Sequence, residues 1–75
     1  MAKKVLNSIQ NDAGDRCVDI FQREDGSFGF EEYRRDPEDG PKWFPLQRYS
    51  SGVFDTEGDA LAKARAAIAW LSRAS

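Results

Sequence analysis

YSSGVFDTEGDALAKARAAIAWL, residues 49–71, carries an amphipathic helix together with its own start signal. Thr56 followed three residues later by Asp59 resembles a capping box, with aspartate where glutamate or glutamine is usual. Glu57 and Asp59 fall where the helix dipole favours negative charge. Leu61, Ala64, Ile68 and Leu71 recur at spacings of three, four and three, which places them on one stripe with Ala60 and Ala67 beside it. Such a stripe has to lie on something, and the rest of the chain reads as the sheet beneath it.

The chain has 75 residues, a net charge of -2, no histidine and one cysteine, Cys17. A length of this order gives one domain with a thin core. The inventory excludes an internal disulfide, a conventional zinc site and any chemistry that needs histidine. No stretch has the length of a membrane span or the apolar run of a signal peptide, so a cytoplasmic protein with no membrane partner is expected. The charge is unevenly spread. Six acids lie between Asp36 and Asp59 against Lys42 and Arg48, whereas Ala60 to Ser75 holds Lys63, Arg65 and Arg73 with no acid.

Working backwards from the helix, Ser50-Ser-Gly52 is a turn, and Phe54 is placed to pack on the first helical turn near Leu61. Lys42 to Tyr49 reads as a strand. Pro45 cannot donate to a ladder, so that strand belongs at an edge or carries a bulge. Phe44 and Leu46 should then face the core and Trp43 the opposite side. Asp36-Pro-Glu-Asp-Gly-Pro41 is a loop.

Arg16 to Arg23 and Phe28 to Arg35 form a hairpin around Asp25-Gly26. A two-residue loop would set Phe21 opposite Phe30 and Val18 opposite Tyr33. A three-residue loop through Ser27 would gather Val18, Ile20, Phe28 and Phe30 on one face, and is preferred because it supplies a floor for the helix. Cys17, Phe21 and Tyr33 then share the other face, and Gly29 makes room for a neighbouring ring. Residues 1–15 read as a flexible or loosely packed arm, with a short strand through Lys4 to Ser8 as the alternative. The expected architecture is α+β: a three-stranded antiparallel meander over residues 16–75, with one C-terminal helix across one face.

The order of these segments resembles the small bacterial YegP-like domains of uncharacterised function. The motifs concerned are Val18-Asp-Ile20-Phe21, Gly26-Ser-Phe28-Gly-Phe30, Tyr49-Ser50-Ser51 and the alanine-rich helix, together covering about Val18 to Leu71. Gly52 to Asp55 is an insertion relative to that pattern. A second, partial likeness runs from Trp43 to Ala67, where a Trp-bearing strand, Phe54-Asp-Thr56 and an alanine-rich helix look like the end of the plant Apetala-type DNA-binding domain. That resemblance implies nucleic-acid contacts at Arg34, Arg35, Lys42, Trp43 and Arg48, although the arginine-rich first strand of that family has no counterpart here.

The remaining polar groups read as structural. Glu24, Asp25, Glu31, Glu32, Asp36, Glu38 and Asp39 lack the alternating spacing of a calcium loop, so no metal is expected. Gly26-Ser-Phe-Gly29 precedes no helix and cannot cradle a phosphate. Cys17 has neither a histidine nor a helix N-terminus beside it to make a nucleophile. No cofactor and no enzymatic activity are expected. Two apolar surfaces remain: Phe21, Tyr33 and Trp43 on the uncovered sheet face, and Ala62, Ala66, Ala69 and Trp70 on the outer side of the helix, the indole about 60° beyond the core stripe. A thin core with two such surfaces implies a self-associating interaction or assembly module, expected to be a homodimer. Nucleic-acid binding through the basic residues is the alternative, against the sign of the net charge.

Overall fold

The computed structural model describes residues 3–36, 38, 40 and 42–74. Asp39 of the acidic group lies outside the described residues, as do Pro37 and Pro41 of the loop signal and Met1 and Ala2 of the arm. The fold is α+β. Strands β1 (Lys4–Gln10), β2 (Arg16–Gln22), β3 (Phe28–Arg34) and β4 (Phe44–Pro45) form one antiparallel sheet in sequence order. Two helical segments follow, α1 (Glu57–Ala67) and α2 (Ala69–Ala74). None of the described helices is long and apolar enough to cross a membrane.

The strand count therefore corrects the expectation of three. Residues Lys4–Gln10 pair with β2 along their whole length, so the alternative reading of the N-terminal segment is the one the sheet contains. A bulge between Val5 and Asn7 breaks the alternation. Val5, Leu6 and Ile9 consequently fail to show a period of two, which is why the segment does not look like a strand. The β1–β2 turn is built around Asn11, whose Oδ1 accepts the amides of Asp15 and Arg16, both at 3.1 Å, while its Nδ2 donates to Asp15 at 2.7 Å.

The β2–β3 hairpin has the preferred faces with a loop one residue earlier than expected. Arg23 pairs with Ser27 through its amide at 2.8 Å, leaving Glu24, Asp25 and Gly26 as a three-residue loop with Gly26 at φ 90. Ile20 then faces Phe30, and Val18 faces Glu32. The Ser27 hydroxyl and amide both donate to Asp25, holding its carboxyl below the ordinary range.

The last strand shrinks to two residues. Past Leu46, whose amide bonds the Glu32 carbonyl, the chain leaves the β3 edge and returns only where Phe28 and Phe54 exchange hydrogen bonds. Gln47 opens this excursion with φ 57, a left-handed conformation uncommon outside glycine. Pro45 does sit on an edge strand, as its missing donor requires. Phe44, however, is 42% exposed rather than in the core.

Helix α1 starts as the sequence indicates, with the Thr56 hydroxyl accepting the Asp59 amide at 3.0 Å. Ala60, Ala64, Ile68 and Leu71 are buried against Val18, Ile20 and Phe30; Leu61 is half-buried beside them and Ala67 is exposed. The helix is not continuous. Ile68 adopts extended backbone angles of φ -117 and ψ 107, separating α1 from α2.

Candidate functional site

The two apolar surfaces read from the sequence are changed by these placements. On the sheet face away from the helices, Phe21 is only 2% exposed. Its ring lies across Gly29, and its π-face is covered by the Lys3 ammonium at 4.3 Å and the Arg23 guanidinium at 5.0 Å. Phe21 is thus a buried residue and not the exposed ring expected on this face. Tyr33 and Trp43 are half-buried, and Trp43 carries the Arg35 guanidinium at 4.6 Å from its ring.

Polar groups occupy the rest of that face. Ser8 donates to Asp19 at 2.7 Å and lies 3.2 Å from the Cys17 sulfur, while Cys17 lies 3.4 Å from Asp19. Burial pushes the Cys17 thiol above its ordinary pKa, outweighing the Ser8 hydrogen bond that acts in the other direction. The Tyr33 phenol is raised likewise, by burial and then by the nearby Asp19 and Glu31 carboxylates. A buried thiol held protonated in this way is a poor nucleophile. Glu31 is buried but hydrogen-bonded, accepting the amides of Glu32 at 2.8 Å and Ser50 at 3.1 Å. Among the described residues no group of three or more Cys, Asp or Glu stands where it could hold a metal ion.

On the helix, Ala62, Ala66 and Ala69 are exposed, as the periodicity indicates. Trp70 is not part of their surface in the expected way. The break at Ile68 turns it toward the sheet, where it packs on the core and its Nε1–H donates to Glu32 at 2.9 Å.

Two features were not singled out in the sequence. One is the outer edge of β1, which among the described residues pairs with β2 on one side only and is exposed along most of its length, with Val5 at 48%. The Asn11 amide bonds the Arg16 carbonyl, so antiparallel alternation turns the amides of Ser8 and Gln10 away from β2. The other is the far end of the hairpin. Arg16 and Arg34 are cross-strand partners there, and with Arg35, Asp15 and Asp36 they line a notch of about 220 Å³. Lys42 is exposed nearby in sequence, whereas Arg48 stands apart, at a separate hollow with Lys63, Tyr49 and Phe54. The five residues assigned to nucleic acid therefore do not form one surface. Compared with known proteins, the chain matches no family model, no curated protein and no solved structure.

Proposed function

We propose that the protein is a small, non-enzymatic assembly module that forms a homodimer by pairing β1 with the β1 of a second copy. The observation that carries this reading is the unpaired outer edge of Lys4–Gln10 on a domain with a thin core. A row of outward N–H and C=O groups is a template for another strand. Charge selects the partner and the register. In an antiparallel pair with its two-fold axis at Ser8, Ser8 faces itself and Lys4 of each copy faces Asp12 of the other. A parallel pair would instead stack like charges. The contact is isologous, as closed dimers require. It is also small: one seven-residue edge covers well under the roughly 1,600 Å² of a standard interface, which sets a weak, concentration-dependent dimer. The nucleic-acid reading has less behind it, since its arginines and lysine are divided between two places and interleaved with acids.

Sedimentation equilibrium over a wide concentration range tests the dimer. Gln10→Pro removes an outward amide without touching the β1–β2 ladder, and should hold the protein at monomer mass. Lys4→Glu and Asp12→Lys should each weaken the dimer, and the two together should restore it. A wild-type mass that stays monomeric at millimolar concentration, or a Gln10→Pro variant that still dimerises, overturns the proposal.

A further inference from the structure

We propose that the hollow between the 48–54 segment and α1 binds a small ring-bearing carboxylate, a single six-membered ring with an acid group on a short side chain. Its floor is aromatic. Phe30 is buried, and the half-buried rings of Tyr49 and Phe54 pack on it with centroids at 5.1 Å and 5.9 Å. A further ring meets such faces offset or edge-on, the geometries aromatic pairs favour. The space measures about 170 Å³. That is room for one ring, since a cavity of about 150 Å³ holds benzene. The segment that carries the rings is held in place before any ligand arrives. Arg23 bonds the Ser50 and Gly52 carbonyls at 2.6 Å and 2.9 Å, the Gly52 amide bonds the Tyr49 carbonyl at 3.0 Å, and Phe54 exchanges backbone hydrogen bonds with Phe28. Gly52 is needed there, because a methyl at this position would come within 3.0 Å of the Phe54 ring.

The rim fixes the sign of the ligand's charge. Arg48, Lys63 and Ser51 complete the lining, and no carboxylate belongs to it. Among the described residues neither cation makes a hydrogen bond or an ion pair, so both heads are open to an anion. Asp59, one turn before Lys63 on α1, lies outside the lining, and Glu31 leaves β3 on the face opposite Phe30. Both cations are exposed, so each contributes only on the scale of a surface ion pair, and the aromatic floor supplies the larger share. Neither part suffices alone: the floor selects a ring, and the rim selects an acid over a neutral or cationic relative. The hollow stands at the edge of the sheet remote from β1, so its occupancy is separable from dimer formation.

Phenylacetate, phenylacetamide, benzylammonium and acetate, each titrated into the protein at low salt with backbone amide and aromatic-ring resonances observed, decide the matter. The expected result is saturable shifts at Tyr49, Gly52 and Phe54 with phenylacetate, at a dissociation constant of about 1–10 mM for so small a ligand. Phenylacetamide should bind more weakly, and acetate and benzylammonium should give no saturable shift. Arg48→Gln and Lys63→Gln, both at exposed positions, should each weaken phenylacetate about threefold, the loss of one surface charge contact. Arg48→Glu combined with Lys63→Glu should abolish phenylacetate binding and admit benzylammonium to the same residues. No saturable shift at high millimolar phenylacetate overturns the proposal. So does equal affinity for phenylacetamide, which would leave the cations no role, or matching shifts from acetate, which would leave the aromatic floor none.

Discussion

The indole of Trp70 donates to the Glu32 carboxylate across 2.9 Å, joining the last helical segment to the centre of the sheet. Glu32 is buried on the helix side of β3, opposite Val18, and its Oε2 accepts that indole N–H. Trp70→Phe removes the donor while leaving the carboxylate in place, and should cost about 1–3 kcal/mol of stability. Glu32→Leu in the same background removes the stranded acceptor and should recover part of the loss. A double-mutant cycle by chemical denaturation checks this, and a coupling energy near zero would show that the two side chains stabilise the fold independently.

The contact across Gly29 is equally specific. A methyl at this position would come within 2.9 Å of the buried Phe21 ring and 2.8 Å of the Arg23 guanidinium. The ring is itself buried, with the Lys3 ammonium and the Arg23 guanidinium against it, so making room for the methyl would disturb those contacts. Gly29→Ala should therefore lower stability by about 1–3 kcal/mol, the usual scale of overpacking. Combining it with Phe21→Leu should cost less than the sum of the two, measured as shifts in denaturation midpoint.

Much of this arrangement is legible in the sequence wherever a local rule decides the outcome. Thr56 and Asp59 announce the helix start, Pro45 announces an edge, and the apolar pattern of Val18, Ile20, Phe28 and Phe30 chooses the covered face even though the loop is placed one residue early. What escapes depends on interruptions that no residue type advertises. The bulge after Val5 hides β1, the left-handed Gln47 cuts the last strand to two residues, and the extended Ile68 carries neither glycine nor proline to mark where the helix breaks. That break reverses the meaning of Trp70, which a continuous helix would leave at the margin of its outer face. The arginine notch escapes for a different reason. Arg16 and Arg34 are distant in sequence and meet only once the strand register is known, as do Glu32 and Trp70.

Stability should fall at alkaline pH in two stages. Burial raises the native pKa of Cys17, so the neutral thiol is favoured in the folded chain and the unfolded chain loses its proton first. The stabilisation is fully present below the ordinary thiol value of about 8.5 and is lost as pH rises from there through the native value. Tyr33, raised for the same first cause, extends the decline beyond its ordinary value of about 10. Denaturation midpoints measured across this range should fall. In Cys17→Ala the first stage should disappear while the second remains. Native Cys17 should also alkylate with iodoacetamide far more slowly than the unfolded chain.

Arg23 makes the strongest single-residue prediction. Its Nη2 donates to the carbonyls of Ser50 at 2.6 Å and Gly52 at 2.9 Å, and its Nη1 to the Phe28 carbonyl at 3.2 Å, while the guanidinium plane lies over Phe21. One side chain thus ties the irregular 47–53 segment to the hairpin and covers the ring beneath it. The Ser50 amide is held in turn by Glu31, so the segment is gripped from both its carbonyl and its amide sides. Arg23→Lys keeps the charge but offers a point donor in place of a planar fork, and cannot bond these carbonyls together. It should cost about 1–3 kcal/mol, the range for charged hydrogen bonds lost from partly buried acceptors. Hydrogen exchange locates the effect: protection should drop at Ser50 and Gly52, with the β1–β2 ladder unchanged. Uniform loss of protection across the sheet would instead make Arg23 a general stabiliser of the hairpin through Phe21, and Phe21→Leu should then reproduce it.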